Sequence, residues 1–257
     1  MVHEHVGILG LAIRPVDALR INADFDFGYY DRAYTQISPR QFQTYKIHAN
    51  HRVKTWASID GAVDIRENRN SDPRIKLLDH LRTYSFGTMF MPTESFSFDL
   101  GYNYTYISKQ SYFCFRETIP SPGVPAGTYP ACAYFSGTTA ITWGTTGFYT
   151  NQQHFAYGDV MWKPMKRITA GLGYMGTFTG GTTLFLNPRQ PGGTLAFNYQ
   201  KPFASFQIDL YKGLSYKMAW NYYGYNLKTP TALPLLQPIG SQDFNGSNGM
   251  FSVRYTF

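Results

Sequence analysis

Apolar and polar residues alternate along most of this chain, and this alternation constrains its fold more than any other feature. In residues 19–30, hydrophobic side chains occupy every second position, with Arg20, Asp24 and Asp26 between them. A period of two places successive side chains on opposite faces of a β-strand. About eleven such segments follow one another, separated by turn residues. The sequence therefore predicts an all-β chain whose strands each have an apolar face and a polar face.

The connections between these segments alternate between short and long. Short turns are predicted around Pro15, Lys54, Pro92, Pro164 and Gly213, whereas longer polar or Pro/Gly-rich stretches join the opposite strand ends. This alternation is typical of an antiparallel up-and-down sheet with tight turns at one end. The longest predicted connection is 109–151. The stretch 194–211 contains Pro202, so we place a strand at 203–211 and assign the part before Pro202 to a loop.

The last nine residues alternate up to the terminal carboxylate, with Phe251, Val253, Tyr255 and Phe257 on one face. This pattern resembles the C-terminal assembly signal of Gram-negative outer-membrane β-barrels, in which the final residue is aromatic, usually Phe. The resemblance implies an antiparallel transmembrane β-barrel in the outer membrane, in contact with its lipid and recognised by the barrel-assembly machinery. Such barrels also have short periplasmic turns and longer extracellular loops, so the predicted topology agrees with the resemblance.

Composition favours a membrane barrel over other classes. Charged residues make up 15% of the chain, against about 25% in soluble domains. No run approaches the roughly 20 apolar residues of a membrane-spanning helix. Tyr and Trp crowd the apolar faces near strand ends, as in an aromatic girdle, which argues against the soluble alternatives of a β-sandwich or propeller. The net charge of +7 is dispersed along the chain, so we expect no nucleic-acid partner.

The polar faces carry charges of both signs and are the candidate pore lining. The candidates are Arg20, Asp24, Asp26, Lys46, His48, Arg52, Asp60, Asp64, Arg66, Asp99, Asp209, Lys217 and Arg254, with Asp159 on the same pattern. The second, third and fourth strands alternate acidic, basic and acidic, so we expect ion pairs across the ladder. An alternative role for these charges is to select ions or orient a solute.

The leading functional hypothesis is a porin-like channel for small solutes, with 109–151 as an extracellular lid or constriction. The Tyr-rich hairpins with short Pro-Lys turns, such as 162–167, also resemble the large barrels of porin–cytochrome electron conduits. That resemblance implies a sheath around a multihaem cytochrome as an alternative. A plugged structural or adhesive surface barrel is a third possibility. No nucleophile, haem or zinc spacing is recognisable, so we expect no enzyme activity, cofactor or metal.

Two further expectations concern covalent structure and completeness. Cys114 and Cys132 both lie in 109–151, and an oxidising compartment favours a disulfide between them, the alternative being two free thiols. No secretory signal opens the chain, and eleven strands is an odd number, whereas bacterial single-chain barrels have an even number. We therefore expect 1–257 to be one transmembrane domain that forms the C-terminal part of a larger barrel.

Overall fold

The computed structural model of the chain describes residues 2–32, 38–73, 75–117, 141–184, 193–194, 196–211, 213–228 and 243–255. These residues form a single antiparallel sheet. In chain order its strands are β1 (Glu4–Val16), β2 (Leu19–Tyr30), β3 (Gln41–Lys54), β4 (Ala57–Asn70), β5 (Leu77–Thr93), β6 (Phe96–Glu117), β7 (Ile141–Met165), β8 (Ile168–Leu184), β9 (Gly193–Thr194), β10 (Ala196–Tyr211), β11 (Leu214–Lys228) and β12 (Phe244–Tyr255).

Each long strand pairs with its neighbour in sequence, which is an up-and-down topology. The two-residue β9 pairs only with β8, and β8 continues the sheet by pairing with β10. The sheet therefore has eleven long antiparallel strands, and the prediction of an all-β up-and-down chain is confirmed. Within the described residues β1 and β12 are its two outer edges, so the sheet is open rather than closed on itself.

The strands reach further toward the long connections than the sequence indicates. β6 and β7 remain paired from Lys109↔Tyr149 to Glu117↔Ile141, so both ends of the predicted 109–151 connection are strand. Aromatic residues occupy neighbouring positions in this extension, as at Tyr112 and Phe113, so no clean alternation marks it as strand, and backbone pairing there does not depend on one. Cys114 lies in β6. Cys132 lies outside the described residues, and the predicted disulfide with it.

Pro202 does not end a strand, contrary to the prediction. β10 runs through it without a break and pairs with β8 at Pro202↔Tyr174. Pairing with β11, in contrast, passes from Gln200↔Gly224 directly to Phe203↔Asn221. The missing N–H of proline therefore falls where the β10–β11 ladder has a gap. The lost hydrogen bond is confined to that ladder, and pairing with β8 continues, so proline is tolerated in this central strand.

All five short hairpins share one irregularity close to the turn. The register shifts at Ile13/Val16, Arg52/Lys54, Phe90/Thr93, Trp162/Met165 and Asp209/Tyr211. A shift of this kind is a β-bulge or a similar irregularity, and bulges bend the strand and increase its right-handed twist. At the last of these turns, Gly213 has a φ of 82°, a conformation that glycine adopts without steric cost. Each of the five short turns is therefore accompanied by a local irregularity in its ladder.

The hairpins are also staggered by a constant amount. One continuous row across the sheet contains Ile21, Gly61, Tyr102, Gly176 and Gly224. These residues lie two, four, six, eight and ten positions beyond the first residues of β2, β4, β6, β8 and β11. Two residues of stagger span about 6.6 Å, and two strand spacings span about 9.6 Å. The strands are therefore inclined by about 35° to the perpendicular of the line of turns, which is the strand tilt that closure into a barrel requires.

The sheet has almost no core of its own. Among the described residues only five hydrophobic side chains are buried, namely Ala23, Ala57, Ile75, Leu77 and Ala196. In contrast, large hydrophobic side chains such as Leu9, Leu172 and Val253 are 62%, 66% and 69% exposed. A soluble domain of this length would bury a sizeable apolar core. The apolar surface of this sheet consequently has no covering within the described part of the chain.

Candidate pore-lining face

The pairing register puts every candidate pore-lining residue on one face of the sheet. Asp24 is opposite Lys46, and Lys46 is opposite Asp64. The same row continues through Thr83 and Thr105. Because side chains alternate between faces along each strand, the rows above and below it extend this face over all eleven long strands. The full set on this face is Arg20, Asp24, Asp26, Lys46, His48, Arg52, Asp60, Asp64, Arg66, Asp99, Asp159, Asp209, Lys217 and Arg254.

The opposite face carries an apolar belt bounded by aromatic rings. On β6 the belt runs from Phe96 to Tyr106, ten residues apart, or about 33 Å along the strand. With a tilt of about 35°, that length projects to a height of about 27 Å, close to the roughly 25 Å apolar band of membrane barrels. Trp56 packs on Phe90 at the short-turn end, with ring centroids 5.0 Å apart. At the other end the ring of Tyr104 lies 4.9 Å from that of His154.

Charged residues on β2, β3 and β4 form the densest part of the polar face. Lys46 lies directly between Asp24 and Asp64, as expected. The ion pair found there runs along one strand rather than across the ladder, since Arg66 donates two hydrogen bonds to Asp64, at 3.2 and 2.9 Å. A guanidinium bound through two N–H groups fits a carboxylate better than an ammonium does. The expected charge pattern is therefore present, with a different pairing.

Carboxylates gather on the polar face between β4 and β7. Asp99 of β6 is directly opposite Asp159 of β7, so two like charges face each other. One row away, Asp60 extends over Gly87, where an added Cβ would lie 2.7 Å from its Oδ1 atom. Gly101 is covered by the ring of Tyr157 in the same way, since an added Cβ would overlap Cε1 of that ring. The two glycines therefore leave room for Asp60 and Tyr157 to lie flat along the polar face.

Replacing Gly101 by alanine should destabilise the sheet, because the new Cβ would occupy the position of the Tyr157 ring. Overpacking of this kind costs about 1–3 kcal/mol. Gly246→Ala is the matched control on the same face, since nothing lies within 4 Å of its added Cβ. That change should be neutral or slightly stabilising. Unfolding in urea of both variants in detergent measures the difference, and equal stability would contradict the packing described for Tyr157.

The remaining candidates lie apart from these clusters, near the short turns of the C-terminal strands. Lys217 pairs with Gln207 and Ser252, and Arg254 is opposite Ser215. Asp209 accepts a hydrogen bond of 3.1 Å from the side chain of Gln207. In the part of the chain that the structure describes, the candidates thus fall into a charged group on β2–β4, carboxylates on β4–β7 and a mixed group at the short-turn rim.

Several aromatic residues on the polar face were missed by the sequence reasoning. Phe197, Tyr225 and Phe244 stack across β10, β11 and β12, with centroids 5.4 and 5.2 Å apart. Lys201 places its ammonium 5.5 Å from the centre of the Tyr223 ring. A period-two reading assigns aromatics to the apolar face. The sequence did contain a signal for aromatics on the polar face: in these strands aromatic residues occur at both odd and even positions, as at Tyr222 and Tyr223.

A second charged cluster lies on the apolar face, just beyond the belt at its long-loop end. Glu67 is at its centre. Its carboxylate oxygens lie 3.0 Å from a guanidinium nitrogen of Arg82, 3.4 Å from Nδ1 of His80 and 3.6 Å from a guanidinium nitrogen of Arg69. The carboxylate of Glu67 is shielded at 19% exposure, whereas the Arg69 and Arg82 side chains are 57% and 44% exposed. We call Glu67, Arg69, His80 and Arg82 the outer-rim cluster.

The described residues contain no group of three or more His, Cys, Asp or Glu side chains arranged to hold a metal ion. Nor does any helix in those ranges have the length and hydrophobicity needed to cross a membrane. No model of a known protein family matches the chain, and no curated protein matches it in sequence.

Proposed function

We propose that this chain forms the wall of a bacterial outer-membrane β-barrel and that the barrel is a porin-like channel for small solutes. The observation that carries the proposal is the division of the sheet into two faces. One face gathers every candidate charged residue, and the other is an apolar belt with aromatic rings at both ends. A water-filled lumen solvates the first face and hydrocarbon covers the second, which is the arrangement of residues in transmembrane barrels.

The dimensions of the sheet support the membrane assignment. A belt height of about 27 Å matches the hydrocarbon thickness, and a tilt of about 35° falls at the lower end of the range for membrane barrels. The apolar belt also explains the lack of a buried core, because lipid replaces the packing partner that a soluble sheet would need.

The two edges of the sheet support a larger barrel than these eleven strands. β1 and β12 both end at the short-turn side, so they run in the same direction. Unpaired backbone groups in hydrocarbon cost several kcal/mol each, so both edges must be paired in a membrane. We propose that an odd number of further strands lies between them, since only an odd number keeps every pairing antiparallel.

The charges of the lumenal face suggest weak ion selectivity. The candidates comprise six Lys or Arg residues and seven Asp residues, including Asp159, so the net charge of +7 does not come from this set. We expect the Asp99→Asn/Asp159→Asn variant to shift permeability toward anions by severalfold, because two adjacent negative charges leave the wall. The reversal potential in a planar bilayer under a salt gradient measures this shift.

Asp17→Asn is the control for that experiment, because Asp17 lies in a short turn outside the ladder. It should leave the reversal potential unchanged. Folded, inserted protein without conductance would count against the channel itself. Conductance with identical reversal potentials in all three proteins would instead contradict the lumenal placement of the Asp99–Asp159 pair.

The stacked aromatics on β10–β12 favour one second candidate, a barrel that encloses a protein partner such as a multihaem cytochrome. Phe244 is 54% exposed at the end of the Phe197–Tyr225–Phe244 stack. An apolar strip facing the lumen suits a packed partner better than a water-filled pore. Purification from the native membrane tests this: a stoichiometric haem-containing partner would favour the sheath over the channel.

A further inference from the structure

We propose that the outer-rim cluster binds the phosphate of an anionic lipid headgroup, and this inference rests on the proposed membrane barrel. The cluster lies on the lipid-facing side, because Glu67 and Arg82 share their faces with belt residues of the same strands. Arg82 is directly opposite Ile65 and Tyr106, the last belt residues of β4 and β6. The cluster therefore begins where the belt ends.

The height of the cluster places it at the level of lipid headgroups. Glu67 is ten residues beyond Ala57, the first residue of β4. At about 3.3 Å per residue and a tilt of about 35°, it stands about 27 Å above the short-turn end of the belt. Charged side chains at that height meet phosphate groups and water rather than hydrocarbon.

The charges of the cluster do not balance internally. Two guanidinium groups and a histidine surround the single carboxylate of Glu67. One arginine suffices to neutralise one carboxylate, so at least one positive charge remains. Arg82 makes the shorter contact with Glu67, at 3.0 Å, whereas Arg69 lies 3.6 Å away and is the more exposed of the two. The guanidinium of Arg69 retains N–H donors that suit the bidentate binding of a phosphate.

Arg40 extends the positive surface along the rim. Its backbone N–H donates to the carbonyl oxygen of Arg69, which places the two residues side by side. Its guanidinium donates to the Tyr29 hydroxyl at 2.7 Å and lies 5.6 Å from the centre of that ring. Tyr29 belongs to the apolar face of β2. A basic arc thus follows the upper edge of the belt from β2 to β5.

The experiment measures which lipids the barrel retains. Full-length protein is reconstituted into vesicles of equal parts phosphatidylcholine and phosphatidylglycerol, extracted in mild detergent and analysed by native mass spectrometry. Wild-type protein should retain phosphatidylglycerol severalfold over phosphatidylcholine. Arg69→Gln/Arg82→Gln should bring that ratio close to one, whereas the lumenal control Arg20→Gln/Arg52→Gln should keep the wild-type ratio.

Heat-modifiable migration of each variant shows first whether the barrel inserts. Failure of the wild-type protein to insert would defeat the proposed membrane barrel. Insertion with equal retention of both lipids, or loss of preference in the lumenal control, would overturn only the lipid site. Displacement of the retained phosphatidylglycerol by excess inorganic phosphate would also overturn it, because the cluster would then be a site for free anions.

Discussion

Leu172→Arg should severely reduce the stability of this protein in a membrane, although the residue is already 66% exposed. Leu172 lies on the apolar face of β8, four residues beyond Ile168 and thus near the middle of the proposed belt. An arginine at the midplane of a transmembrane barrel costs about 2–4 kcal/mol. On the water-exposed surface of a soluble protein, a change at so open a position would stay within about 0.5 kcal/mol. The two interpretations of the sheet therefore predict different outcomes.

Met161→Arg is the matched control for this substitution. Met161 lies four residues before Met165 on the neighbouring strand, directly opposite Gly171, and is 43% exposed. Its side chain belongs to the polar face, so an added arginine there would be solvated by the lumen. Urea unfolding of both variants in lipid vesicles measures the difference. Similar stabilities for Leu172→Arg and Met161→Arg would contradict a lipid-facing belt.

Phe257→Ser should sharply reduce the amount of protein inserted into the outer membrane and leave aggregate in the periplasm. The residue lies outside the described part of the structure, and the expectation follows from the resemblance of the C-terminus to the barrel assembly signal. The residues of that signal on β12 are strongly exposed: Phe251, Val253 and Tyr255 are 66%, 69% and 52% accessible. An exposed outer strand of a sheet is a surface that another β-strand recognises by strand addition.

The control for the assembly prediction is Arg254→Ser, which changes a neighbouring residue on the opposite face of β12. It should insert normally, whereas Tyr255→Ser should behave like Phe257→Ser to a lesser degree. Quantification of heat-modifiable protein in outer-membrane fractions compares the three variants. Normal insertion of Phe257→Ser would refute the role of the C-terminal residue as an assembly signal.

The strands and their faces could be predicted from the sequence because alternation is a local signal. β2 begins at Leu19 and ends at Tyr30 in both the prediction and the structure. Where alternation fades, the bounds were wrong, as at the long-loop ends of β6 and β7. Backbone pairing between two already aligned strands continues there without a regular alternation of apolar and polar residues. The gap at Pro202 likewise depended on which neighbour its missing N–H would face, and no local pattern contains that information.

The sequence was sufficient to predict which candidate residues share the polar face, but not which of their side chains contact each other. The alternation along each strand placed Asp24, Lys46 and Asp64 on the polar face. The pairing register of β2, β3 and β4 shows that they are direct neighbours. Whether Arg66 or Lys46 bonds to Asp64 depends on side-chain length and fork geometry. The placement of Tyr157 over Gly101 required knowledge of the pairing between β6 and β7. Residues joined by long connections have a register that short-range patterns do not determine.

The most direct test of a lipid-facing sheet is the accessibility of successive residues along β8. Spin labels are placed one at a time at positions 170–178 in a Cys114→Ser/Cys132→Ser background and reconstituted into vesicles. Collision rates with oxygen, which partitions into lipid, and with a water-soluble nickel complex should alternate with a period of two. Even-numbered positions, including Leu172 and Tyr174, should favour oxygen, and odd-numbered positions, including Met175, should favour nickel. Equal accessibility to nickel at even and odd positions would contradict a membrane-spanning barrel wall.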